Sequence, residues 1–352
     1  MPRRLTTGKS AWSVFTRIEE VVLSSSGADA FELVFALAAA VLFARRRGRV
    51  ARADTIASLA QAASKAWPAL ELTPEIALPD TALAETLVLL EKASLAGHAE
   101  GLDALFEALV TRVGKGNKGQ FFTPRHVVDF ATTALALKAG ERFVDPACGS
   151  GAFVAHASRA VRTRASGWDV DGRAVRVAKL MSIATGADPR RIERKDSLTT
   201  ETLRMASSFD VIATNPPFAG APASRGFEIV KAGGRVERDL LFLERCLDLL
   251  RAGGRLAIVL PHGKIASPAW RGARQWLLTR ARVLAVVSLP KETFLPHTSQ
   301  RAALVFAKKR ARGGRPSPGE KIFLAVSDRA GRDHDLGRLA APLARFFAHQ
   351  DF

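Results

Sequence analysis

Phe143-Val-Asp-Pro-Ala-Cys-Gly-Ser-Gly-Ala-Phe-Val-Ala155 is the stretch on which the reading of this chain turns. Two apolar residues lead into Asp145 and Pro146. A glycine-rich turn follows through Gly149 and Gly151, and an alanine-rich helical pattern begins directly after it. Strand, tight turn and helix start in that order form the unit with which α/β proteins hold nucleotide-like ligands. The glycine turn alone is a weak signal, because many βα corners need one. Its weight comes from a second stretch, Phe209-Asp-Val-Ile-Ala-Thr-Asn215-Pro216-Pro217-Phe218, in which an apolar strand runs into Asn-Pro-Pro-aromatic.

Working outward, the chain from Arg142 alternates strand and helix patterns. Strands are expected at Arg142 to Asp145, Ser166 to Val170, near Ile192 to Lys195, Phe209 to Ala213, Arg255 to Pro261, Val283 to Leu289 and Ala302 to Ala307. The helices between them are expected from Gly151, over Arg173 to Ala184, Arg238 to Leu250 and Trp270 to Thr279. Repeated βα units with apolar strands imply a doubly wound, mainly parallel sheet, whose ligands bind beyond the carboxyl ends of the strands. The corners after the first four strands carry acid, glycine or Asn-Pro-Pro residues, which is consistent with one shared crevice.

The first 112 residues read as helical. Phe31, Val34, Phe35, Leu37, Ala38, Val41 and Leu42 recur at helical spacing, and Arg45-Arg46-Arg47-Gly48 closes that segment as a basic end and stop. Asp54 to Trp67, Asp80 to Ala96 and Leu102 to Val110 give further amphipathic patterns without a catalytic constellation. Gly114-Lys-Gly-Asn-Lys-Gly119 is a basic hinge. The expected organisation is a helical domain over 1–112 for partner or DNA binding, a ligand-binding α/β domain over 113–312, and an edge strand and helix over 313–352. After the hinge, Thr123 is placed to cap a helix with Pro124 at its first position. Capping alone explains both residues, and the same helix N-terminus also suits a carboxylate.

Composition bounds the partners. At 352 residues the chain has room for two cores, and 47% hydrophobic content excludes a mainly disordered protein. Two cysteines, Cys148 and Cys246, form no metal-like spacing; neither a disulfide framework nor a metal site is expected, and a reducing cytoplasm suits them. No secretory signal is visible, and the most apolar run, Leu33 to Ala44, is too short to span a bilayer, so no membrane association is expected. Lys and Arg number 52 against 34 Asp and Glu, a net charge of +18 that favours a polyanionic partner, nucleic acid first among them.

Together the motifs resemble those of the modification subunit of type I restriction-modification systems and its relatives, the adenine-specific (γ-type) DNA methyltransferases. The matching stretches are Gly119-Gln-Phe-Phe-Thr-Pro-Arg125, Asp145-Pro-Ala-Cys-Gly-Ser-Gly151, Gly167-Trp-Asp-Val-Asp171, Asp196-Ser-Leu198, Asn215-Pro-Pro-Phe218 and Gly253-Gly-Arg-Leu-Ala-Ile-Val-Leu-Pro261. The resemblance spans roughly 28–330. It implies a seven-stranded, Rossmann-like methyltransferase sheet preceded by an all-α domain, with S-adenosyl-L-methionine as cofactor and double-stranded DNA with a flipped adenine as substrate. The cofactor set it implies is Gln120, Thr123, Asp145, Ala147, Gly149, Gly151, Asp169, Asp196, Ser197 and Pro217. The catalytic set is Asn215, Pro216, Pro217 and Phe218.

The residue types suit those roles. Backbone N–H groups of Ala147 to Gly149 are expected at the methionyl carboxylate, with Asp145 near the ammonium. Asp169 is placed for the ribose hydroxyls and Asp196 for the adenine amine, although each acid taken singly reads equally as a cap or a solvated residue, as does Asp171. An adenine amino nitrogen is a poor nucleophile; two acceptors on its hydrogens, the Asn215 side chain and the Pro216 carbonyl, localise its lone pair. Phe218 offers a stacking face for an extruded base. Phe294 reads equally as a second face or as core, His262 as structural or as a phosphate contact, and Cys148 as a packing residue.

After the last core strand only about forty-five residues follow, so either sequence specificity is expected from a separate specificity subunit, with a restriction or other defence subunit as a further partner, or the enzyme is weakly specific. Competing readings are methyl transfer to another amino target (RNA adenine, cytosine N4 or protein glutamine), or a catalytically inactive DNA-binding subunit.

Overall fold

Strand 1, β1 (Arg142–Asp145), is buried along its last three residues and pairs on both sides in parallel, as an apolar strand with no polar face must. The computed structural model of the protein describes residues 17, 18, 20–24, 30–92, 122–161, 164–218, 220, 226–232, 237–295, 298–329, 333–350 and 352. The remaining strands are β2 (Arg164–Asp169), β3 (Ile192–Arg194), β4 (Phe209–Thr214), β5 (Leu250–Pro261), β6 (Ala281–Ser288), β7 (Ala302–Lys309) and β8 (Phe323–Val326). They form one sheet in the order β3-β2-β1-β4-β5-β7-β6-β8. β1 to β5 pair in parallel, β7 runs antiparallel between β5 and β6, and β8 adds to β6 in parallel. The seven expected strands are all present, and the C-terminal edge strand makes the sheet eight-stranded.

The strand order reverses between β1 and β4, which places the ligand crevice beyond the carboxyl ends of those two neighbours. Asp145 ends one and Asn215 follows the other. The two decisive sequence stretches are therefore adjacent because of topology, not because of sequence distance.

Some boundaries differ from the sequence reading for local reasons. β5 starts at Leu250, before Gly253 and Gly254, because the strand bulges there. Its pairing jumps from Phe209↔Leu250 to Val211↔Arg255, and Gly253 has φ 76°. β2 starts at Arg164, where it meets Arg142. Helix α1 (Ala30–Arg45) is buried on every face, as its continuous apolar sequence demands, and packs with α2 (Ile56–Ala66); α3 (Asp80–Lys92) follows. The expected fourth helical pattern at Leu102 to Val110, the hinge at Gly114 to Gly119 and Gln120 lie outside the described residues. No helix among the described residues is long and apolar enough to cross a membrane.

The chain divides into two compact units, residues 1–116 with 176–190, and residues 117–175 with 191–352. In the second unit the helices are α4 (Arg125–Ala134), α5 (Ala152–Val161), the start of α6 (Gly172–Thr185), α7 (Arg238–Leu249), α8 (His262–Ala266), α9 (Arg271–Arg280) and α10 (Leu336–Ala348). One face of its sheet is covered by α7 and α9 around Ile212, Leu241, Leu256 and Ile258, all fully buried.

Gly167 sets how closely the first corner approaches β2. A Cβ there would lie 2.9 Å from Val154 Cγ2 and 3.0 Å from both Cys148 Cβ and Sγ. Gly167→Ala is therefore expected to destabilise the protein by about 1–3 kcal/mol through overpacking, read as a lower midpoint in urea denaturation. An unchanged midpoint would show that the corner yields freely.

Candidate active site

The glycine turn after β1 is built from two left-handed residues, Gly149 (φ 51°) and Gly151 (φ 85°), closed by Gly151 N–H donating to the Cys148 carbonyl at 2.8 Å. Side chains with a Cβ are strained in that conformation, so both positions call for glycine. Nothing lies within 4 Å of where a Cβ on Gly149 would stand, which leaves backbone open to a ligand.

The N–H groups of this corner are used inside the protein. Ala147 N–H donates to Asp145 Oδ1 at 3.1 Å, Cys148 N–H to the Trp168 carbonyl at 2.9 Å, and Gly149 N–H to Asp169 Oδ2 at 3.0 Å. This corrects the expectation that Ala147 to Gly149 present donors to a carboxylate. The physical reason is that Asp145 at the end of β1 takes the Ala147 N–H, and the end of β2 alongside the turn offers acceptors to the Cys148 and Gly149 N–H groups. What the corner presents is negative charge.

Asp145 is 1% exposed and has no cationic partner among the described residues. Burial pushes its carboxyl up to about 7, partly offset by the Thr214 hydroxyl and the Ala147 N–H. The Thr214 hydroxyl is itself buried and falls short of hydrogen-bond geometry with any partner, so its influence on Asp145 is that of a nearby dipole. Asp169 is also buried, and burial raises its pKa too. Its Oδ1 accepts from Asp171 N–H at 2.9 Å and its backbone carbonyl from Lys195 N–H at 2.8 Å. The carboxylate is thus committed to both loops.

At the third corner Asp196 is exposed and Oδ1 accepts from Leu198 N–H at 2.9 Å. Ser197 is buried and donates to the Pro146 carbonyl at 2.6 Å, so it fastens this corner to the first. Asp171 accepts from Arg173 N–H at 2.9 Å, the geometry of a helix start.

Thr123 is half-buried but does not cap α4. Pro124 occupies the cap position with its carbonyl accepting from Val127 N–H at 2.9 Å, and no side-chain cap bond is made. The helix begins one residue later than the sequence suggests because Pro124, with φ −54° and ψ 138°, stays extended. Capping therefore does not account for Thr123.

Asn215 is the most telling residue. It is 9% exposed, and neither its Oδ1 nor its Nδ2 has a hydrogen-bond partner among the described residues. A buried amide left wholly unpaired costs about 1–3 kcal/mol for each lost bond, and such groups in folded proteins call for an explanation. Pro216 is buried, and Pro217 is half-buried. Phe218 is 5% exposed and packs edge to face on Phe294, with centroids 6.3 Å apart and planes at 81°. Both rings are packed, so the face expected of Phe218 is covered in this arrangement. The pair also resolves Phe294 as a core contact here.

Of the remaining candidates, Cys148 is buried with its thiol well above the usual range because of burial and two nearby carboxylates, which fits packing and not nucleophilic chemistry. His262 is half-buried and its backbone N–H donates to the Arg301 carbonyl at 2.8 Å. No group of acids, histidines or cysteines among the described residues is arranged to hold a metal ion.

Sequence reasoning missed one cluster. Lys264 is 5% exposed and pairs with Glu237, lies 3.8 Å from Asp239 Oδ2, and sits 3.6 Å from the Trp270 ring centroid. Burial raises the Asp239 carboxyl to about 7 despite that lysine. Glu237 and Lys264 are twenty-seven positions apart, and only the return of α7 beside β5 brings them together. The one signal in sequence was acid at the start of a helix, which reads as ordinary dipole chemistry.

A parallel sheet with its order reversed at β1/β4, an acid-lined glycine corner there and an unpaired Asn-Pro-Pro beside it define the class: a methyltransferase of the Rossmann-like type. Comparison with known proteins sharpens this. The chain belongs to the N-6 DNA Methylase family, whose family model matches residues 102–335. It is 29% identical over 212 residues to the type I restriction enzyme EcoEI methylase subunit of Escherichia coli, a match covering 55% of this chain and 43% of that one. Among solved structures it is similar to the type I restriction-modification system methyltransferase subunit from Streptococcus thermophilus (TM-score 0.61, 16% identity, 96% of this chain and 93% of that one). It is likewise similar to a Listeria monocytogenes protein assigned to the class I S-adenosylmethionine-dependent methyltransferases (TM-score 0.63, 17% identity, 96% and 98%). These two share the fold. The chain spans less than half the length of the EcoEI relative.

The buried acid makes a signed prediction. Asp145 titrates near 7 when folded against 3.8 as an ordinary aspartate, so the folded state holds an extra proton between those values. The stability tied to the neutral form is complete below about pH 4 and is lost as pH rises through about 7. Asp145→Asn is expected to raise the Tm of the ligand-free protein at about pH 8 by a few degrees and to weaken binding of a cationic ligand. A lower Tm would refute the burial argument.

Proposed function

We propose that this chain transfers the methyl group of S-adenosyl-L-methionine to the N6 amino group of adenine in double-stranded DNA, as the modification subunit of a restriction-modification system. The observation that carries the reading is the Asn215 amide, buried at the end of β4 beside the Asp145 corner with both polar atoms unpartnered. Such a group fits a substrate that brings its own donors and acceptors.

When bound, S-adenosyl-L-methionine supplies an electrophilic methyl on a positively charged sulfur and a second positive charge on its ammonium. The residues present fit that charge. Asp145, raised to about 7 when it stands alone, is the natural acceptor for the ammonium end, and a cation beside it returns the carboxylate to its ionised state. Asp169, a buried acid at the end of β2, is assigned to the ribose hydroxyls, and exposed Asp196 keeps capacity for an amine. Thr123, released from capping, faces the methionine end in this reading, and Ala147, Gly149 and Gly151 shape the corner's backbone instead of donating to the ligand. Gln120 completes the set.

On the substrate side, Asn215 Oδ1 and the Pro216 carbonyl accept the two amino hydrogens. This localises the nitrogen lone pair and stabilises the positive charge developing on nitrogen as the N–C bond forms. The proton then leaves to water. Proline's missing N–H and fixed φ at positions 216 and 217 hold these acceptors in place. A flipped base needs a stacking surface, and Phe218 provides it once its contact with Phe294 parts.

Type I methylase subunits among its relatives support assembly with a separate specificity subunit, and the net charge of +18 supports a nucleic-acid substrate. The purified chain, with and without the products of neighbouring genes, is expected to move labelled methyl from S-adenosyl-L-methionine to DNA, recovered as N6-methyladenine after digestion. Asn215→Ala should lower the rate by a factor of about a hundred or more with cofactor Kd changed only a few-fold. Label on protein or RNA alone, or full activity in Asn215→Ala, would overturn the reading.

A further inference from the structure

We propose that the helical unit carries a phosphate-binding pocket for the DNA backbone, built by Arg46 and Arg47 at the C-terminal end of α1 with Trp67 as its apolar wall. The proposal rests on DNA being the substrate, but its site is separate from the crevice that holds Asn215.

A cavity of about 630 Å³ opens in this unit, lined by Arg46, Arg47, Trp67, Ile183 and Pro189 among others, with no carboxylate on its walls. Both arginines are exposed and held in place. Arg46 Nη1 donates to the Ile183 carbonyl at 2.5 Å, which uses one of five guanidinium donors and leaves the fork open for an anion. The Arg47 guanidinium lies 3.6 Å from the Phe43 ring centroid, and Phe43 in turn meets Trp67 edge on at 5.4 Å. A cation fixed on an aromatic face loses little side-chain freedom when a ligand arrives.

The surrounding charge meets no carboxylate among the described residues. Elsewhere in this unit Arg17 pairs with Glu85 at 2.9 Å, Arg176 with Glu32 at 2.6 Å, and Arg190 with Asp188 at 3.0 Å. Arg45, Arg46, Arg47, Arg49 and Arg52 crowd eight positions of sequence, and none is paired with a carboxylate among the described residues. Arg45 also keeps a buried Nη1 with no hydrogen-bond partner. Cations at a helix C-terminus are favourable, but the two or so nearest the last turn already meet the half-charge there, on the order of 0.3–1 kcal/mol each. Five without counter-charge repel one another, and an external polyanion removes that repulsion. The run extends past the cavity, which fits successive backbone phosphates better than one small anion. Trp67 and Pro189 offer the sugar an apolar surface.

The test measures binding of non-specific duplex DNA by the full chain as a function of salt, for the wild type and the Arg46→Gln/Arg47→Gln and Arg46→Lys/Arg47→Lys variants. Each phosphate contact contributes about 0.9 to the slope of log K against log salt. The glutamine pair is expected to lower that slope by nearly two and to weaken binding at low salt. The lysine pair should keep most of the slope, and S-adenosyl-L-methionine binding should be unchanged in both. Inorganic phosphate should compete only weakly if the run reads a backbone. An unchanged slope in the glutamine pair, or an equal loss in the lysine pair, would overturn the site. So would tight competition by phosphate alone, which would mark a small-anion pocket. Methyl transfer to DNA by the glutamine pair at saturating DNA keeps the two proposals apart, because failure of the pocket leaves that activity standing.

Discussion

One buried carboxylate holds the crevice in shape. Asp169 accepts the Gly149 N–H from the first corner with one oxygen and the Asp171 N–H from its own with the other, while its carbonyl takes the Lys195 N–H from the third. Three loops that belong to three strands are thus fixed on a single residue. Ser197, donating to the Pro146 carbonyl, closes the same set from the opposite side. Loops so cross-linked are positioned by a rigid scaffold, which is what a site for ordered chemistry requires.

That arrangement concentrates negative charge inside a strongly basic chain. Asp145 and Asp169 are both raised by burial, so the crevice favours a cation or a proton, while the +18 of the whole chain favours a polyanion outside it. In the proposed function a cationic cofactor and an anionic substrate would meet these two fields in different places. The segregation is physical: burial amplifies the charge of a few acids at short range, and exposed arginines act at longer range through water.

The helical unit obeys different rules. α1 is apolar on every side and buried, so its register is set by packing, and its one acid, Glu32, is answered by a bidentate Arg176 at 2.6 and 2.8 Å. Its basic end meets no carboxylate among the described residues. One helix thus carries an acid fixed by packing and, in the proposed reading, arginines left for a partner.

The sequence by itself determined the strands and their mainly parallel pairing. Apolar runs broken by Gly, Asp or Asn-Pro-Pro are local signals, and local signals survive in one dimension. Gly149 and Gly151 were legible because a left-handed turn calls for glycine where they stand. Tertiary structure decided what those groups do with their hydrogen bonds. The Ala147 N–H turned to Asp145 and those of Cys148 and Gly149 turned to the end of β2 beside them, and Thr123 lost its capping role because Pro124 stays extended. Phe218 was covered by Phe294, seventy-six positions away, and Lys264 met Glu237 across a helix return. Each of these depends on which strands lie side by side, and the order β2-β1-β4-β5 is a property of the folded sheet that no short stretch of sequence contains.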